Sequence, residues 1–301
     1  MPASPLAARA PGVSPADPRS RRSAFAYLQT GPLAAILLLF LVAPIGVVVA
    51  VSFWHFTGYV PEPDFILDNY REVFTSRVTL AGYADTARLA AITWVVTLVL
   101  GFTLAYFLVF DIVRVRVKVA LFLMCVIPFW TSSVIRTISW IPFLGRNGIL
   151  NSSLQALGVI DRPLDFLLFS EFTTILSYVH VYTAFMMAPI FNTMARIDRS
   201  LIEAAVDAGA SARQVLTKIV IPLSLPGIAI GSIFVVTLVV GDVTTLRLLG
   251  GAGASSIALM ISNQIAFVQL PIACANAVAL VAMVLLFVGG MLRFVDVRKE
   301  L

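Results

Sequence analysis

Two groups of residues have types and spacing suited to work on other molecules. The first is Glu203-Ala204-Ala205, followed by Asp207, Gly209, Ile219 and Pro222. Adjacent alanines give a low-profile surface on which another element can close. Glu203 and Asp207 supply charge that fixes its register, and an amphipathic helix seated in a partner's groove transmits rigid-body motion in this way. The second group is Arg136 and Asp242, each inside an apolar run. A charge in a membrane span is costly and marks a functional site by default. Ser132, Arg136 and Ser139 fall at i, i+4 and i+7, a polar helical face of the kind that points to a cavity and not to lipid. Trp130, with Trp140 and Tyr182, offers aromatic surface to an ammonium group by cation–π contact. Aromatic rings near span ends also serve as interface anchors. His180 sits near mid-span, where a buried, hydrogen-bonded imidazole is expected in preference to a proton relay.

Other chemistries lack their residues. No G-x-x-x-x-G-K-[ST] loop occurs, and Gly250-Gly251-Ala252-Gly253 has no lysine to complete a phosphate cradle. His55 and His180 stand apart, so metal-ligand spacing is missing. Cys125 and Cys274 lie inside apolar runs, which argues against a disulfide framework or a Cys-ligated metal. The chain alone is therefore read as a non-enzyme with no cofactor or metal of its own.

The elements that must hold these residues are membrane spans. Of 301 residues, 59% are hydrophobic and 12% charged, against roughly 25% charged in an average soluble domain. The apolar residues cluster into runs, and a helix needs roughly 20 of them to cross a bilayer. Six spans are expected, near 32–53, 86–110, 117–141, 171–194, 226–246 and 271–292. The first 30 residues, rich in Pro, Ala, Ser and Arg, read as a disordered tail, residues 1–30, ahead of a membrane domain, residues 31–301. Fourteen of the 21 Lys and Arg residues fall in the tail, the second and fourth loops and the C-terminus. Short cytoplasmic segments carry this excess, so both termini are expected in the cytoplasm, and the charge is read as topology and not as nucleic-acid binding. Counted along continuous helices at 1.5 Å per residue, Arg136 lies roughly 28 Å and Asp242 roughly 24 Å from the inner side. At similar depth they either pair or line the outer half of a passage, with Asp242 facing a cationic substrate. The outer loops are expected near 54–85, 142–170 and 247–270, the second with a tight Asn147-Gly148 turn.

The cytoplasmic segment 196–225 has its own helix punctuation. Ser200-Leu201-Ile202-Glu203 and Ser211-Ala212-Arg213-Gln214 have the form of capping boxes. The first helix should stop at Gly209. The second should run toward Ile219 and end at Pro222 and Pro226.

At these residues the chain resembles a family. Glu203-Ala204-Ala205, three residues, Gly209, nine residues, Ile219, one residue and Ile221-Pro222 is similar to the EAA loop of binding-protein-dependent ABC importer permeases, which have Leu where Ile221 stands. Pro128-Phe129-Trp130-Thr131-Ser132, the run Leu144 to Asn151, Pro222-Leu223-Ser224-Leu225-Pro226-Gly227, Gly241-Asp242 and Leu248-Leu249-Gly250-Gly251 resemble the spermidine/putrescine branch. The resemblance implies an all-α, polytopic fold of the type I ABC importer permease class, with a family core near 84–292. It implies that the loop is the coupling helix, seated on a cytoplasmic ATP-binding subunit dimer that alone uses ATP. It also implies a second homologous permease, a periplasmic solute-binding protein and a polyamine substrate in the bacterial inner membrane. Iron, thiamine, opine and aminophosphonate permeases share much of the pattern. An ion-coupled transporter would need intramembrane carboxylates in matching halves, and only Asp242 is available. A membrane-embedded enzyme would need clustered catalytic side chains, and none is found.

Overall fold

A computed structural model describes residues 31–32, 35–58 and 60–294. The expected tail, residues 1–30, lies outside the described residues. The chain divides into two compact units, residues 1–50 and 51–301. Most of it is helix, as apolar runs in lipid require, because only a helix satisfies its own backbone groups.

The first unit holds most of α1 (Ala35–Val51), an apolar helix shorter than the roughly 20 residues of a full crossing. The second unit opens with a two-stranded hairpin, β1 (His55–Phe56) and β2 (Pro61–Glu62), and α2 (Asp68–Thr75). Asn69 fastens this segment by donating from Nδ2 to the carbonyls of Ser52 and Trp54, 2.9 Å each. Next come α3 (Arg77–Asp111), α4 (Val115–Val126), α5 (Ser133–Leu144), α6 (Ile149–Ala156) and α7 (Glu171–Met194). They are followed by α8 (Arg199–Asp207), α9 (Ala212–Gly241), α10 (Thr244–Leu249), α11 (Ile257–Ala266) and α12 (Leu270–Phe294). Among the described residues, four helices are long and apolar enough to cross a membrane: α3 with 35 residues, α7 with 24, α9 with 30, and the Leu270–Arg293 stretch of α12 with 24.

The core is the mutual packing of α3, α7 and α9, and small residues make it possible. A Cβ on Gly101 of α3 would meet the Met186 side chain of α7 at 2.8 Å. On Gly231 of α9 it would meet Met186 Sδ at 2.9 Å, and on Gly227 it would collide with Thr193 Oγ1 and the Pro189 carbonyl. Without a water-driven force between helices in lipid, close backbone approach is what holds them. Met186, Met187, Ile190 and Met194 are fully buried at this seam. Polar ties join the same helices: Trp94 Nε1 donates to Ser232 Oγ at 2.8 Å, and Arg88 pairs with Glu171 at 3.0 Å.

Three expectations need correction. The third span is not continuous. It is two 12-residue helices, α4 and α5, separated by a tight turn at Ile127–Trp130 and an extended Ser132 (ψ 133°). Pro128 has no N–H to continue an α-helical ladder, so the depth counted for Arg136 along one straight helix does not hold. The helix opened at Ser211 does not end at Pro222 or Pro226 but runs unbroken to Gly241. A wide i→i+5 turn at Leu216–Val220 precedes Pro222, and such turns let a helix continue past a lost N–H. The third outer loop is not loop alone, since it contains α11. The Asn147-Gly148 turn forms, with the Gly148 amide donating to the Gly145 carbonyl at 2.8 Å.

Candidate functional site

The segment between α7 and α9 forms a short helix and a turn. α8 starts two residues earlier than the Ser200 capping box predicts. Its cap is Asp198, with extended backbone (φ −67°, ψ 127°), and its Oδ1 accepts from the Ser200 amide at 3.0 Å. That amide holds the Asp198 carboxyl below the usual carboxylate range. The Ser211–Gln214 box forms as expected. Ser211 Oγ accepts from the Gln214 amide, and Gln214 Oε1 accepts from the Ser211 amide.

Between the caps, Gly209 is left-handed (φ +86°). Its amide donates to the Val206 carbonyl and the Ala210 amide to the Ala205 carbonyl, each at 2.9 Å. This paired 5→2 and 6→1 pattern is a Schellman stop, and glycine suits its left-handed position because it has no Cβ. Ile202 and Ala205 face inward against the core cluster. Glu203, Ala204 and Asp207 are exposed beside two apolar side chains, Leu201 (51% exposed) and Val206 (56%). Ala205, Gly209 and Ile219 line one shallow depression of about 400 Å³ with Lys218 and Gln214. Pro222 lies beyond it, exposed in α9. Six residues of the first group, all but Pro222, therefore lie on α8, its glycine stop and the adjoining turn of α9, which present an open apolar face with an acidic edge.

The second group divides. Arg136 lines a largely apolar cavity of about 320 Å³ with His180, Cys125, Phe129 and Met187. His180 is exposed on the chain and stands edge-on to Trp140, ring centres 5.6 Å apart, so it is not the buried imidazole expected. Ser132, Ser139 and Trp130 (83% exposed) lie at the chain's surface, while Thr137 of the same helix points inward. Asp242 is no longer within a span helix, because α9 ends at Gly241 and Asp242 has extended backbone (φ −82°, ψ 107°). Its carboxylate is engaged. Oδ2 accepts from Tyr182 OH at 2.8 Å and Thr245 Oγ1 at 2.9 Å, and Oδ1 accepts from the Thr245 amide at 2.8 Å. Asp242 thus ties the end of α9, the start of α10 and the middle of α7. Thr245 was not visible as a partner in the sequence, although Asp three residues ahead of a Thr at a helix start is a capping signal.

Residues 97–298 match the family model of the binding-protein-dependent transport system inner membrane component. The chain belongs to this family. It is a multi-pass inner-membrane permease of the ABC importer class. It is 36% identical over 188 residues to the spermidine/putrescine transport system permease protein PotB of Escherichia coli, covering 62% of this chain and 67% of that one. With the PotB of Haemophilus influenzae it shares 29% identity over 230 residues, 76% of this chain and 79% of that one. The fold is also that of a chain in a bacterial ABC transporter that imports the acidic polysaccharide alginate. The TM-score is 0.71 and the identity 18%, over 92% of this chain and 96% of that one.

Proposed function

We propose that this permease pairs with a second, homologous permease to form the passage of a polyamine importer, driven by a cytoplasmic ATP-hydrolysing dimer and supplied by a periplasmic binding protein. The observation that carries the reading is the α8 patch, a capped helix with a glycine stop and an apolar outer face that nothing among the described residues covers. Glu203, Ala204, Ala205, Asp207, Gly209, Ile219 and Pro222 shape it as the element on which an ATPase subunit acts. The chain crosses the membrane six times with both termini inside: the apolar run 32–53 that contains α1 once, α4 and α5 together once, and α3, α7, α9 and α12 once each. Such a drive requires contacts that differ between the two states of the passage, since a ligand shifts a conformational equilibrium only by its differential affinity. The substrate assignment rests on similarity to the PotB permeases. Arg136 favours a second reading, an anionic solute such as an aminophosphonate, because it places a fixed cation beside an open cavity.

The test is ATP hydrolysis by the purified complex in lipid, stimulated by loaded binding protein, across polyamines, iron, thiamine, opines and aminophosphonate, with and without Glu203→Ala. Stimulation by a polyamine that the variant loses supports the reading. Stimulation by aminophosphonate alone selects the second. No association with an ATPase subunit refutes both.

A further inference from the structure

We infer that Arg199 and Lys118 are positioning residues that couple the ATPase-driven motion of α8 to α3, the one core helix with no chain connection to it. This inference rests on the coupling role assigned to α8 above.

Three helices form the core, and α8 is joined through the chain to two of them. Residues 195–198 lead into it from α7, and residues 208–211 lead out to α9. α3 has no such connection. Its last turn is a wide one, Phe107–Asp111, and the final carbonyls of a helix lack partners within it. Val109, 6% exposed, is one of these residues. Its carbonyl accepts from two cations. Arg199 Nη2, on the first residue of α8, donates at 3.3 Å, and Lys118 Nζ, in the first turn of α4, donates at 3.0 Å. The helix end, where partial negative charge collects, thus holds α8 and α4 together.

The arrangement has a mechanical meaning. A push on α8 reaches α7 and α9 through covalent links. Without a third tie it would tilt those two helices against α3, and the glycine seam resists that. The shared carbonyl gives α3 and α4 the same displacement. Arg199 makes a single bond and not a fork, so a lysine there should serve equally, unlike at sites that need a planar guanidinium.

The experiment uses the full complex in proteoliposomes, with radiolabelled spermidine uptake and MgATP hydrolysis measured together. Arg199→Gln should raise ATP hydrolysed per spermidine imported by about two- to fivefold, the scale of a cation at a helix C-terminus. Subunit association and melting temperature should stay unchanged. Arg199→Lys should restore the ratio, and Lys118→Gln should shift it in the same direction. A second readout needs no transport. Spin labels at Asp111 and Val206, in the full chain lacking Cys125 and Cys274, should give a narrow distance distribution that Arg199→Gln broadens. An unchanged ratio and distribution in Arg199→Gln overturn this inference while leaving the importer reading intact. Loss of ATPase association in Arg199→Gln also overturns it, since Arg199 would then touch the partner. A wild-type complex with no coupled hydrolysis refutes the importer reading, and this inference with it.

Discussion

Gly209 isolates the energetics of the α8 stop, because a Cβ placed there meets nothing within 4 Å. Replacement therefore acts through backbone strain alone. At φ +86° an L-residue is disfavoured by about 1–2 kcal/mol, and a β-branched residue by more because its χ1 is restricted as well. One to two kcal/mol is about a 5–30-fold change in an equilibrium. Apparent affinity for the ATPase subunit should then fall by about that factor in Gly209→Ala, if the stop must form before docking. Asn tolerates the left-handed region better than Ala. The expected order of coupled ATP hydrolysis is Gly, then Asn, then Ala, then Val. Titration of the ATPase subunit against permease variants in nanodiscs gives the affinities directly. If Gly209→Val docks and couples like wild type, or Asn proves worse than Ala, strain at the stop is not what governs docking.

Three further outcomes are expected. Gly227→Val should lower the melting temperature of the purified permease, because its Cβ collides with backbone at the Pro189 carbonyl; overpacking of this kind costs about 1–3 kcal/mol. Asp242→Ala should destabilise the permease more than Tyr182→Phe, since it removes three hydrogen bonds against one. Each bond to the carboxylate contributes about 1.5–3 kcal/mol, and chemical denaturation in mixed micelles ranks the two. The Asp198 carboxyl is depressed in the folded chain, so its capping contribution is present above the ordinary carboxylate value of about 3.9 and is lost as pH falls through the lower folded value. Amide exchange at residues 199–203 should accordingly show no fraying of α8 attributable to this group between pH 5 and 8. Asp198→Ala should fray the helix throughout that range, whereas Asp198→Asn should retain the cap.

Most of the scaffold was legible from apolar run length. α7 matches the expected 171–194 span because its run is bounded by the Ser170 cap and by Ala195, and α12 matches for the same reason at lower resolution of its ends. The break at Ile127–Trp130 was not legible, because a proline in a membrane helix is compatible with both a kink and a stop. Its consequence depends on which neighbours satisfy the freed carbonyls. Pro222 and Pro226 posed the same ambiguity and resolved the other way, as interior residues of α9. α11 was hidden because a ten-residue apolar stretch after a glycine run lacks the length to declare itself. At the loop, the Ser211 box and the Gly209 stop were readable from local pattern. Asp198 and Ser200 are both good cap formers two residues apart, and only the backbone decides between them. The Tyr182 bond to Asp242 and the Arg199 bond to the Val109 carbonyl are long-range meetings that no local pattern encodes.

The glycine seam also sets an order of construction. α7 presents Met186 to both neighbours and Pro189 and Thr193 to α9, but the glycines that fit against them arrive at different times. Gly101 is already in place when α7 is made. Gly227 and Gly231 follow only after α8 has been synthesised. During biogenesis α3 and α7 must therefore wait as a pair with one side open, and α9 closes them as it leaves the ribosome. A chain interrupted before Gly227 would keep α3 and α7 as apolar helices, yet lack the glycines that close its core.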